Sequence, residues 1–514
     1  MTTIDSERPA RAAGGGGDLR HVKVAVIGAG FSGLGTAIRL LQEGMDDFLV
    51  FERADDVGGT WRDNSYPGCA CDVMSLLYSF SFAQNPNWST TFGKRDEVLA
   101  YLRDCADRFG VRPYIRFGHD LLAARWDDLR RCWHIETSQG EYTAQVLVTG
   151  TGYLSDPAIP DIPGLKDFEG RVFHSSTWDH DYDLTGKRVA VIGTGASAIQ
   201  FVPKIQPEVA HLDLYQRTPP WVAPKADKVI GPGERWRRRS LPGYQNFRRN
   251  FNKWGREVLA FMMSSPKIAE KTIKGMAIKN LQQHVKDPEL RARLTPDYSV
   301  ACKRLLFSNH WYPAITQPNV EVVTDGIREI KDGAVITEDG HARPVDAIIL
   351  GTGFRATDRP IARRVQGVNG VRLAEAWSVR MSAYVGTTVA GFPNLFMLLG
   401  PNTTLGHSSQ TVMIEAQIGY VIDALRQMDK RGLASVEVRA AAQQGFNDRL
   451  EERLSGTVWN AGQCRSWYLD DKGANPSIWP TYTWRFRGLT KRFDAASYRL
   501  ATSAGAPAMR GEVR

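Results

Sequence analysis

Two glycine-rich segments of this chain have the residue types and spacing of a turn that holds a pyrophosphate. They are Gly28-Ala29-Gly30-Phe31-Ser32-Gly33 and Gly193-Thr194-Gly195-Ala196-Ser197-Ala198. Glycine lets backbone N–H groups approach phosphate oxygens, and the helix that follows adds the positive end of its dipole. One such turn is a weak signal, but two predict two dinucleotides bound at once. Hydride transfer from a nicotinamide cofactor to a flavin requires that arrangement.

Charged residues downstream predict which dinucleotide each turn binds. Glu52 ends the strand after the first turn, where a carboxylate accepts hydrogen bonds from ribose hydroxyls, and we assign this turn to FAD. At the corresponding place after the second turn stands Gln216-Arg217-Thr218. A guanidinium pairs with a 2′-phosphate whereas a carboxylate would repel it, so NADPH is predicted over NADH. Asp213, inside that strand, is a weaker rival for the ribose.

Apolar runs indicate the elements that must position these residues. Strands at 22–27 and Phe48–Phe51 enclose a helix at 33–44, and strands at Arg188–Ile192 and His211–Tyr215 enclose the second turn. Gly-Thr-Gly turns at 150–152 and 351–353 follow further apolar strands and permit close backbone approach. A long amphipathic helix is predicted from 409 to 430. The predicted fold class is α/β, with two Rossmann-like dinucleotide-binding domains and a helical insertion in the NADPH domain.

The predicted domain limits follow from where these segments fall. The first part of the FAD domain is 20–152, and the first part of the NADP domain is 153–222. The helical insertion is 223–326, the second part of the NADP domain is 327–385, and the second part of the FAD domain is 386–502. Polar residues at 1–19 and 503–514 predict flexible tails.

Length, charge and cysteine content bound the class of protein. A chain of 514 residues exceeds one hydrophobic core. No leader and no run of about 20 apolar residues is found, which predicts a cytoplasmic protein without stable membrane insertion. The six cysteines form no recognisable framework, as in a reducing cytosol, and Cys69-Ala70-Cys71 has no companion with zinc spacing, so no metal is predicted. The net charge of +9 favours anionic ligands before nucleic acid.

Much of the basic excess lies in residues 235–279. The favoured interpretation is a solvated helical face in which the basic residues meet water. The apolar residues at helical spacing are then expected to pack inward, namely Phe247, Phe251, Trp254, Val258 and Met262. Peripheral contact with a membrane or an anionic partner remains the alternative. A monomer or a weak homo-oligomer is expected.

Five motifs in order make the chain resemble the type I Baeyer–Villiger monooxygenases. The segment 168–179 fits F-x-G-x-x-x-H-x-x-x-W-[PD], with His174, Trp178 and Asp179 at the fixed positions. The other matches are Gly58-Gly59-Thr60-Trp61-Arg62, Tyr66-Pro67-Gly68 with Asp72, Cys302-Lys303-Arg304, and Gly400-Pro401-Asn402-Thr403. The resemblance covers nearly the whole chain outside the tails.

This resemblance implies an NADPH- and O₂-dependent flavin monooxygenase that converts a small hydrophobic ketone to an ester or lactone through a C4a-peroxyflavin. Arg304 would stabilise the negative charge of the peroxyflavin and of the oxyanion that follows, because a guanidinium stays protonated at any working pH. Asp72 would orient Arg304, and His174 would act in catalysis through domain motion. The implied cofactor contacts are Gly28, Gly30, Phe31, Ser32, Gly33, Glu52, Gly59, Thr60, Trp61, Asp72, Tyr78, Gly193, Thr194, Gly195, Ala196, Ser197, Arg217, Thr218, Lys303, Arg304 and Asn402.

Two other functions remain open at this stage. One is a monooxygenase of the same architecture that oxidises nitrogen or sulfur. The other is a basic protein with a vestigial flavin site that binds membranes or nucleic acid through residues 235–279. Disulfide reduction is disfavoured because Trp61 follows the Gly-Gly-Thr turn in place of a cysteine. Serine-based hydrolysis has no support either, because no Gly-x-Ser-x-Gly segment stands in a nucleophile-elbow context. The sequence of residues 462–468 resembles the family members that act on long-chain or aryl ketones more than those that act on cyclohexanone.

Overall fold

The computed structural model describes residues 19–462, 464 and 466–502. The predicted tails, apart from residue 19, lie outside the described residues. The strands are β1 (Arg20–Ile27), β2 (Phe48–Phe51), β3 (Ala70–Met74), β4 (Phe92–Lys94), β5 (Ile115–Arg116), β6 (Leu121–Asp127), β7 (Cys132–Thr137), β8 (Gly140–Thr149), β9 (Arg171–His174), β10 (Arg188–Ile192), β11 (His211–Tyr215), β12 (Val222–Ala223), β13 (Leu306–Phe307), β14 (Val320–Val323), β15 (Ile327–Lys331), β16 (Ala334–Thr337), β17 (Ala342–Pro344), β18 (Ala347–Leu350), β19 (Val365–Gln366), β20 (Leu395–Met397), β21 (Leu433–Val438) and β22 (Tyr498–Thr502).

The helices surround these strands. They are α1 (Phe31–Gln42), α2 (Thr60–Asp63), α3 (Arg95–Arg108), α4 (Ala198–Ile205), α5 (Pro232–Ser240), α6 (Tyr244–Met262), α7 (Pro266–Ala269), α8 (Gly275–His284), α9 (Pro288–Arg293), α10 (Trp311–Ile315), α11 (Ile361–Arg364), α12 (Leu373–Ala376), α13 (Gln410–Arg431), α14 (Ala440–Ser455), α15 (Val458–Ala461) and α16 (Thr483–Leu489). The long helix predicted at 409–430 is α13, and the hydroxyl of Ser409 caps it by accepting from the Thr411 N–H.

Two sheets carry the two glycine-rich turns. The first has the order β19-β6-β7-β8-β1-β2-β5, with β20 paired to β8, and the second has the order β14-β11-β10-β18-β9. Strands β1 and β2 are parallel, as are β10 and β11. Strand β2 is buried at every position, which is why it reads as a continuous apolar run. The predicted α/β class and the predicted strands around each turn are confirmed.

Each sheet has its own apolar core. Helix α1 packs between the first sheet and α13, and Leu34, Ile38 and Ile418 belong to the same buried apolar core. Under the second sheet, Phe201 and Val202 of α4 pack with Trp311 of α10. The chain rejoins the first sheet at β19, some way before residue 386, where its return is predicted. The domain limits themselves remain a prediction.

The orientation predicted for α6 is wrong. Its apolar stripe faces solvent, with Phe247, Phe251, Trp254 and Val258 all exposed. Of the five residues predicted to pack inward, Met262 does so in part, against the first core. Arg249, expected in water, is buried together with Glu257. Arg249 donates to the Leu76 carbonyl at 2.5 Å and to Ser79 Oγ at 3.3 Å. Those long-range polar contacts fix the helix rotation, and a periodicity argument cannot detect them.

A second correction concerns the cysteines. Cys302 and Cys464 form a disulfide, with Cα atoms 6.3 Å apart, between the segment before β13 and the segment after α15. Cys69, Cys71, Cys105 and Cys132 are free. The two partners are far apart in sequence, so spacing alone cannot predict their pairing. In the part of the chain that the structure describes, no helix is long and apolar enough to cross a membrane.

Candidate functional site

The first glycine-rich turn joins β1 to α1 and leaves no room for side chains. Gly28 has φ +95°, and a Cβ there would lie 2.9 Å from the Gly150 carbonyl oxygen. A Cβ on Gly33 would lie 1.7 Å from the Gly28 carbonyl oxygen. The turn therefore packs against the Gly-Thr-Gly turn after β8, which is the close backbone approach that the sequence predicts.

A cavity opens in front of this turn and brings together most residues predicted to bind FAD. Its lining includes Gly28, Gly30, Phe31, Ser32, Glu52, Gly59, Thr60, Trp61 and Tyr78. Gly33 supports the turn from behind. Asn402 is not part of this lining, because its side chain donates to the carbonyls of Asn475 at 2.8 Å and Ile478 at 3.1 Å. These bonds give Asn402 a place in holding two loops together.

Glu52 is held rigidly at the edge of this cavity. One carboxylate oxygen accepts from the Ala29 N–H at 2.7 Å, and the other accepts from the Ala54 N–H and Arg62 Nη1, each at 3.1 Å. A carboxylate offers about four acceptor positions, so one remains for a ribose hydroxyl. The geometry fits the predicted ribose contact.

Arg359 lines the same cavity, and the sequence gives no signal for it. It is buried, donates to the Leu399 carbonyl at 2.7 Å, and has no carboxylate partner among the described residues. Burial lowers the pKa of Arg359 to about 10, so it stays charged at neutral pH. A buried cation without an acid partner suits an anionic ligand such as a pyrophosphate. Together with the glycine turn, it makes this cavity fit a dinucleotide.

The second glycine-rich turn repeats the geometry of the first. Gly193 has φ +106°, and a Cβ there would lie 2.6 Å from the Gly351 carbonyl oxygen. Thr194 Oγ1 donates to the Thr218 carbonyl at 3.4 Å, which ties the turn to the segment after β11. Gly195, Ala196 and Ser197 complete the turn before α4. This second cradle is therefore also shaped by backbone contact with a Gly-Thr-Gly turn.

Two basic side chains lie close together beside the second turn. Arg217 is exposed, and neither it nor Lys303 has an ion-pair partner in the described ranges. Burial, followed by the like charge of Arg217, lowers the pKa of Lys303. The charge of Asp297 opposes this lowering, but Asp297 forms no ion pair with Lys303 in the described structure. Two cations held near each other are complementary to a doubly charged anion such as a 2′-phosphate. The arrangement fits the predicted preference for NADPH.

Arg304 and Asp72 form a bidentate ion pair, as the predicted roles require. Arg304 Nε donates to Asp72 Oδ2 at 2.7 Å, and Nη2 donates to Oδ1 at 2.8 Å. Burial disfavours the charged form of each residue, but the attraction and hydrogen bonds of the oppositely charged partner outweigh that effect. The pKa of Arg304 is therefore raised and that of Asp72 lowered. The pair stays charged over the whole working pH range.

Aromatic residues connect this ion pair to the first cavity. Tyr153 lines the cavity and stacks on Trp467 with ring centroids 5.9 Å apart. Trp467 packs on Tyr468 at 4.3 Å. Burial raises the pKa of Tyr153 and of Tyr468, although the charge of Arg304 opposes it in both. Both phenols are therefore neutral. The disulfide Cys302–Cys464 joins the segment of Arg304 to that of Trp467 and Tyr468.

Two further residues near the ion pair were missed or misassigned. Arg256 on α6, counted with the solvated basic residues, is half-buried and close enough to Asp72 and Arg304 to interact with their charges. His407 is buried, and neither ring nitrogen has a hydrogen-bond partner in the described structure. Burial and then the charge of Arg256 lower the pKa of His407 to about 3, so the imidazole is neutral. An unpartnered buried imidazole marks a place for a polar ligand group.

His174 lies apart from the first cavity, at the end of β9. Its Nδ1 contacts Ser176 Oγ at 2.8 Å, and its ring packs edge-on against Phe354 at 5.6 Å. Burial lowers its pKa. In register, His174 is opposite Leu350, next to the Gly-Thr-Gly turn that supports the second cradle. This place suits a positioning role in the second domain more than contact with reacting atoms.

Gln200 links the second cradle to the strand of Asp72. Its Nε2 donates to the Ala70 carbonyl at 2.9 Å, and its Oε1 accepts from the Ala70 N–H at 3.2 Å and from Tyr66 Oη at 3.0 Å. Helix α4 thereby holds β3 two residues before Asp72. A glutamine inside a helix carries no sequence signal for such a contact.

The described residues contain one group with metal-ligand spacing, His211, Asp213 and Glu321. Arg343 donates to Glu321 at 2.6 Å and lies 3.6 Å from Asp213, so a guanidinium already fills the cluster. Because Asp213 interacts with Arg343, it is not placed to accept hydrogen bonds from a ribose. The absence of a metal remains a prediction.

Comparisons with known proteins agree with this geometry. The family model described as flavin-binding monooxygenase-like matches residues 21–361. A Baeyer–Villiger monooxygenase of Pseudomonas aeruginosa is 52% identical over 489 residues, which cover 94% of this chain and 92% of the relative. A closed crystal structure of cyclohexanone monooxygenase superposes with a TM-score of 0.84 at 28% identity, covering 94% of this chain and all of the other. OTEMO in complex with FAD and NADP superposes with a TM-score of 0.82 at 28% identity over 93% of this chain and 99% of the other. The chain therefore belongs to the flavin-binding monooxygenase-like family, alongside Baeyer–Villiger monooxygenases.

Proposed function

We propose that this protein is an FAD- and NADPH-dependent monooxygenase that converts ketones to esters or lactones with O₂. The observation that carries the proposal is the Arg304–Asp72 pair. Neither partner lines the first cavity, but Arg304 is close enough to Tyr153 of that lining to interact with it electrostatically, and Gln200 joins the strand of Asp72 to the helix of the second cradle. FAD, once reduced by NADPH, supplies the electrons that activate O₂. The remaining chemistry is charge stabilisation and positioning, which the chain's own residues perform.

Arg304 provides a fixed positive charge for the oxyanion that develops when a carbonyl is attacked. A guanidinium carries five N–H donors, and Asp72 takes two of them, which leaves three for the reacting oxygen. Asp72 also holds the guanidinium in one orientation, so little reorganisation is needed during the reaction. Neutral Tyr153 and Tyr468 beside the pair exclude water without adding a competing charge.

Arg217, Lys303 and Thr218 are proposed to hold the 2′-phosphate of NADPH. We expect Arg217→Ala to raise KM for NADPH about 10- to 100-fold, because one charge-assisted contact to a phosphate is lost. The kcat at saturation and the KM for NADH should stay within about twofold, since neither involves that phosphate. Steady-state NADPH and NADH oxidation measures both. An equal rise in KM for both nucleotides would contradict the assignment.

Gln200→Ala should test whether α4 positions the strand of Asp72. Loss of both bonds to Ala70 is expected to lower kcat for ketone oxidation about tenfold, with FAD content unchanged. The matched control is Gln206→Ala at the end of the same helix, which bonds Asn319 and should keep kcat within about twofold. An unchanged kcat in Gln200→Ala would show that Asp72 is positioned by other contacts.

A product assay separates ketone oxidation from nitrogen or sulfur oxidation. The purified holoenzyme is incubated with NADPH and cyclohexanone, phenylacetone or long-chain ketones, alongside a panel of amines and sulfides. We expect ester or lactone products, with NADPH consumption matched to product after peroxide is subtracted. Heteroatom oxides formed without any ester would overturn the proposal.

A cytoplasmic location and a monomeric or weakly associated state are also proposed.

A further inference from the structure

Helices α5 and α6 present an apolar surface to solvent, which we call the aromatic face. On α6, Phe247, Phe251 and Trp254 are 64%, 68% and 56% exposed, and their spacing places them in one stripe. The aromatic face consists of Trp236, Leu241, Phe247, Phe251, Trp254, Val258 and Phe261. Isolated exposed apolar residues are ordinary, but a contiguous stripe with several aromatic rings marks an interaction surface.

The buried side of α6 explains why the stripe faces outward. Arg249 is bonded to Leu76 and Ser79, and Glu257 accepts from the backbone N–H of Thr483 at 3.2 Å. Turning the stripe inward would break these contacts and leave a buried cation and anion without partners, which is costly. The outward orientation is therefore specified by the fold.

Helix α16 lies beside α6, because Glu257 accepts from the backbone N–H of Thr483. Trp484 and Leu489 on α16 are about half exposed. Arg485 lies over the ring of Trp484, with 5.3 Å from its guanidinium carbon to the ring centroid. Lys253 lies over the ring of Trp254 at 5.6 Å. Aromatic rings and basic groups are thus interleaved, as on surfaces that insert rings between lipid headgroups.

The charge around the aromatic face selects its partner. From Gly231 to Lys279 the chain has twelve basic and three acidic residues. Arg238, Arg249 and Glu257 are buried and Arg256 faces the Arg304–Asp72 pair, so nine basic and two acidic residues remain toward solvent. Of those two acids, Glu234 already bonds Arg238 and Tyr244. A second copy of the chain would bring two such basic surfaces together and repel. An anionic lipid surface complements both the rings and the charge.

We propose that the aromatic face docks this enzyme on the surface of an anionic membrane, with the rings in the headgroup region and the basic side chains on lipid phosphates. The attachment is peripheral. This inference stands apart from the proposed function, because its readout is binding and not catalysis.

Vesicle sedimentation of the FAD-loaded protein tests the proposal. We expect it to sediment with vesicles of equal parts phosphatidylglycerol and phosphatidylcholine, and to be released by high salt. It should not sediment with vesicles of phosphatidylcholine alone. The double variant Phe251→Ser/Trp254→Ser should bind anionic vesicles at least about tenfold more weakly, because each inserted ring contributes apolar transfer energy. FAD content and NADPH oxidation should match the parent protein.

The matched control is Leu129→Ser, which removes an apolar side chain that is more exposed than Phe251 or Trp254 and lies outside the aromatic face. It should bind vesicles like the parent. Light scattering during size-exclusion chromatography accompanies each variant. The proposal is overturned if the parent ignores anionic vesicles, or if Leu129→Ser weakens binding as much as the double variant. It is also overturned if the parent is a dimer that Phe251→Ser/Trp254→Ser dissociates without any vesicle binding, since the face would then join two copies.

Discussion

Arg304→Ala is expected to lower kcat for ketone oxidation about 10³-fold while the enzyme still binds FAD. The expected size is that of removing a preorganised charge from the place where an oxyanion develops. Arg304→Lys should recover little, because an ammonium cannot make the bidentate pair with Asp72 that fixes the charge. Product formation per NADPH consumed, together with FAD content from the visible spectrum, measures the effect.

The control for this prediction is Arg328→Ala at an exposed position of strand β15, where the guanidinium pairs only with the adjacent Glu329 among the described residues. It should leave kcat within about twofold. If Arg304→Ala were to form ester at the parent rate, the charge of Arg304 would have no part in the reaction.

The second large effect is expected at the two glycine cradles. One substitution in each cradle should show which dinucleotide that cradle binds. Gly33→Ala would place a methyl group 1.7 Å from the Gly28 carbonyl oxygen, so the first turn must move and FAD should be lost almost completely. Gly193→Ala would place a methyl group 2.6 Å from the Gly351 carbonyl oxygen and force a non-glycine residue to φ +106°. That variant should stay yellow, with KM for NADPH raised about 10²-fold or more.

Gly419→Ala on α13 is the control for both variants, because nothing lies within 4 Å of a Cβ there. It should keep FAD and be slightly stabilised. Circular dichroism and NADP⁺-dependent thermal shifts show whether Gly33→Ala keeps a folded second domain. A Gly33→Ala protein that retains full FAD would contradict the assignment of FAD to the first cradle. A Gly193→Ala protein that loses FAD would contradict the assignment of NADPH to the second.

The cradles and their strands could be predicted because their signal is local. Gly28, Gly33 and Gly193 are required by backbone geometry within one strand, turn and helix, so the sequence states the constraint directly. Family membership was also predicted correctly, from the motifs around His174, Asp72 and Arg304. The family motifs identified Arg304 and Asp72 as partners, although the two residues are more than two hundred positions apart in the sequence.

The remaining features depend on contacts between distant segments. Gln200 meets Ala70, Arg359 lines the first cavity, and Cys302 pairs with Cys464, but no spacing rule connects these positions. The rotation of α6 was predicted wrongly for the same reason. Its periodic apolar residues favour an inward stripe, whereas bonds from Arg249 and Glu257 to other elements hold the opposite face inward. Tertiary polar contacts can override an amphipathic pattern when that pattern serves another surface.

The most direct test of the central claim is an experimental structure of the enzyme with FAD and NADP⁺ bound. We expect the guanidinium of Arg304, still paired with Asp72, to lie within about 5 Å of the reactive edge of the flavin ring, where its charge acts strongly. A guanidinium that points away from the ring, with another cation in its place, would show that Arg304 does not stabilise the reacting oxygen.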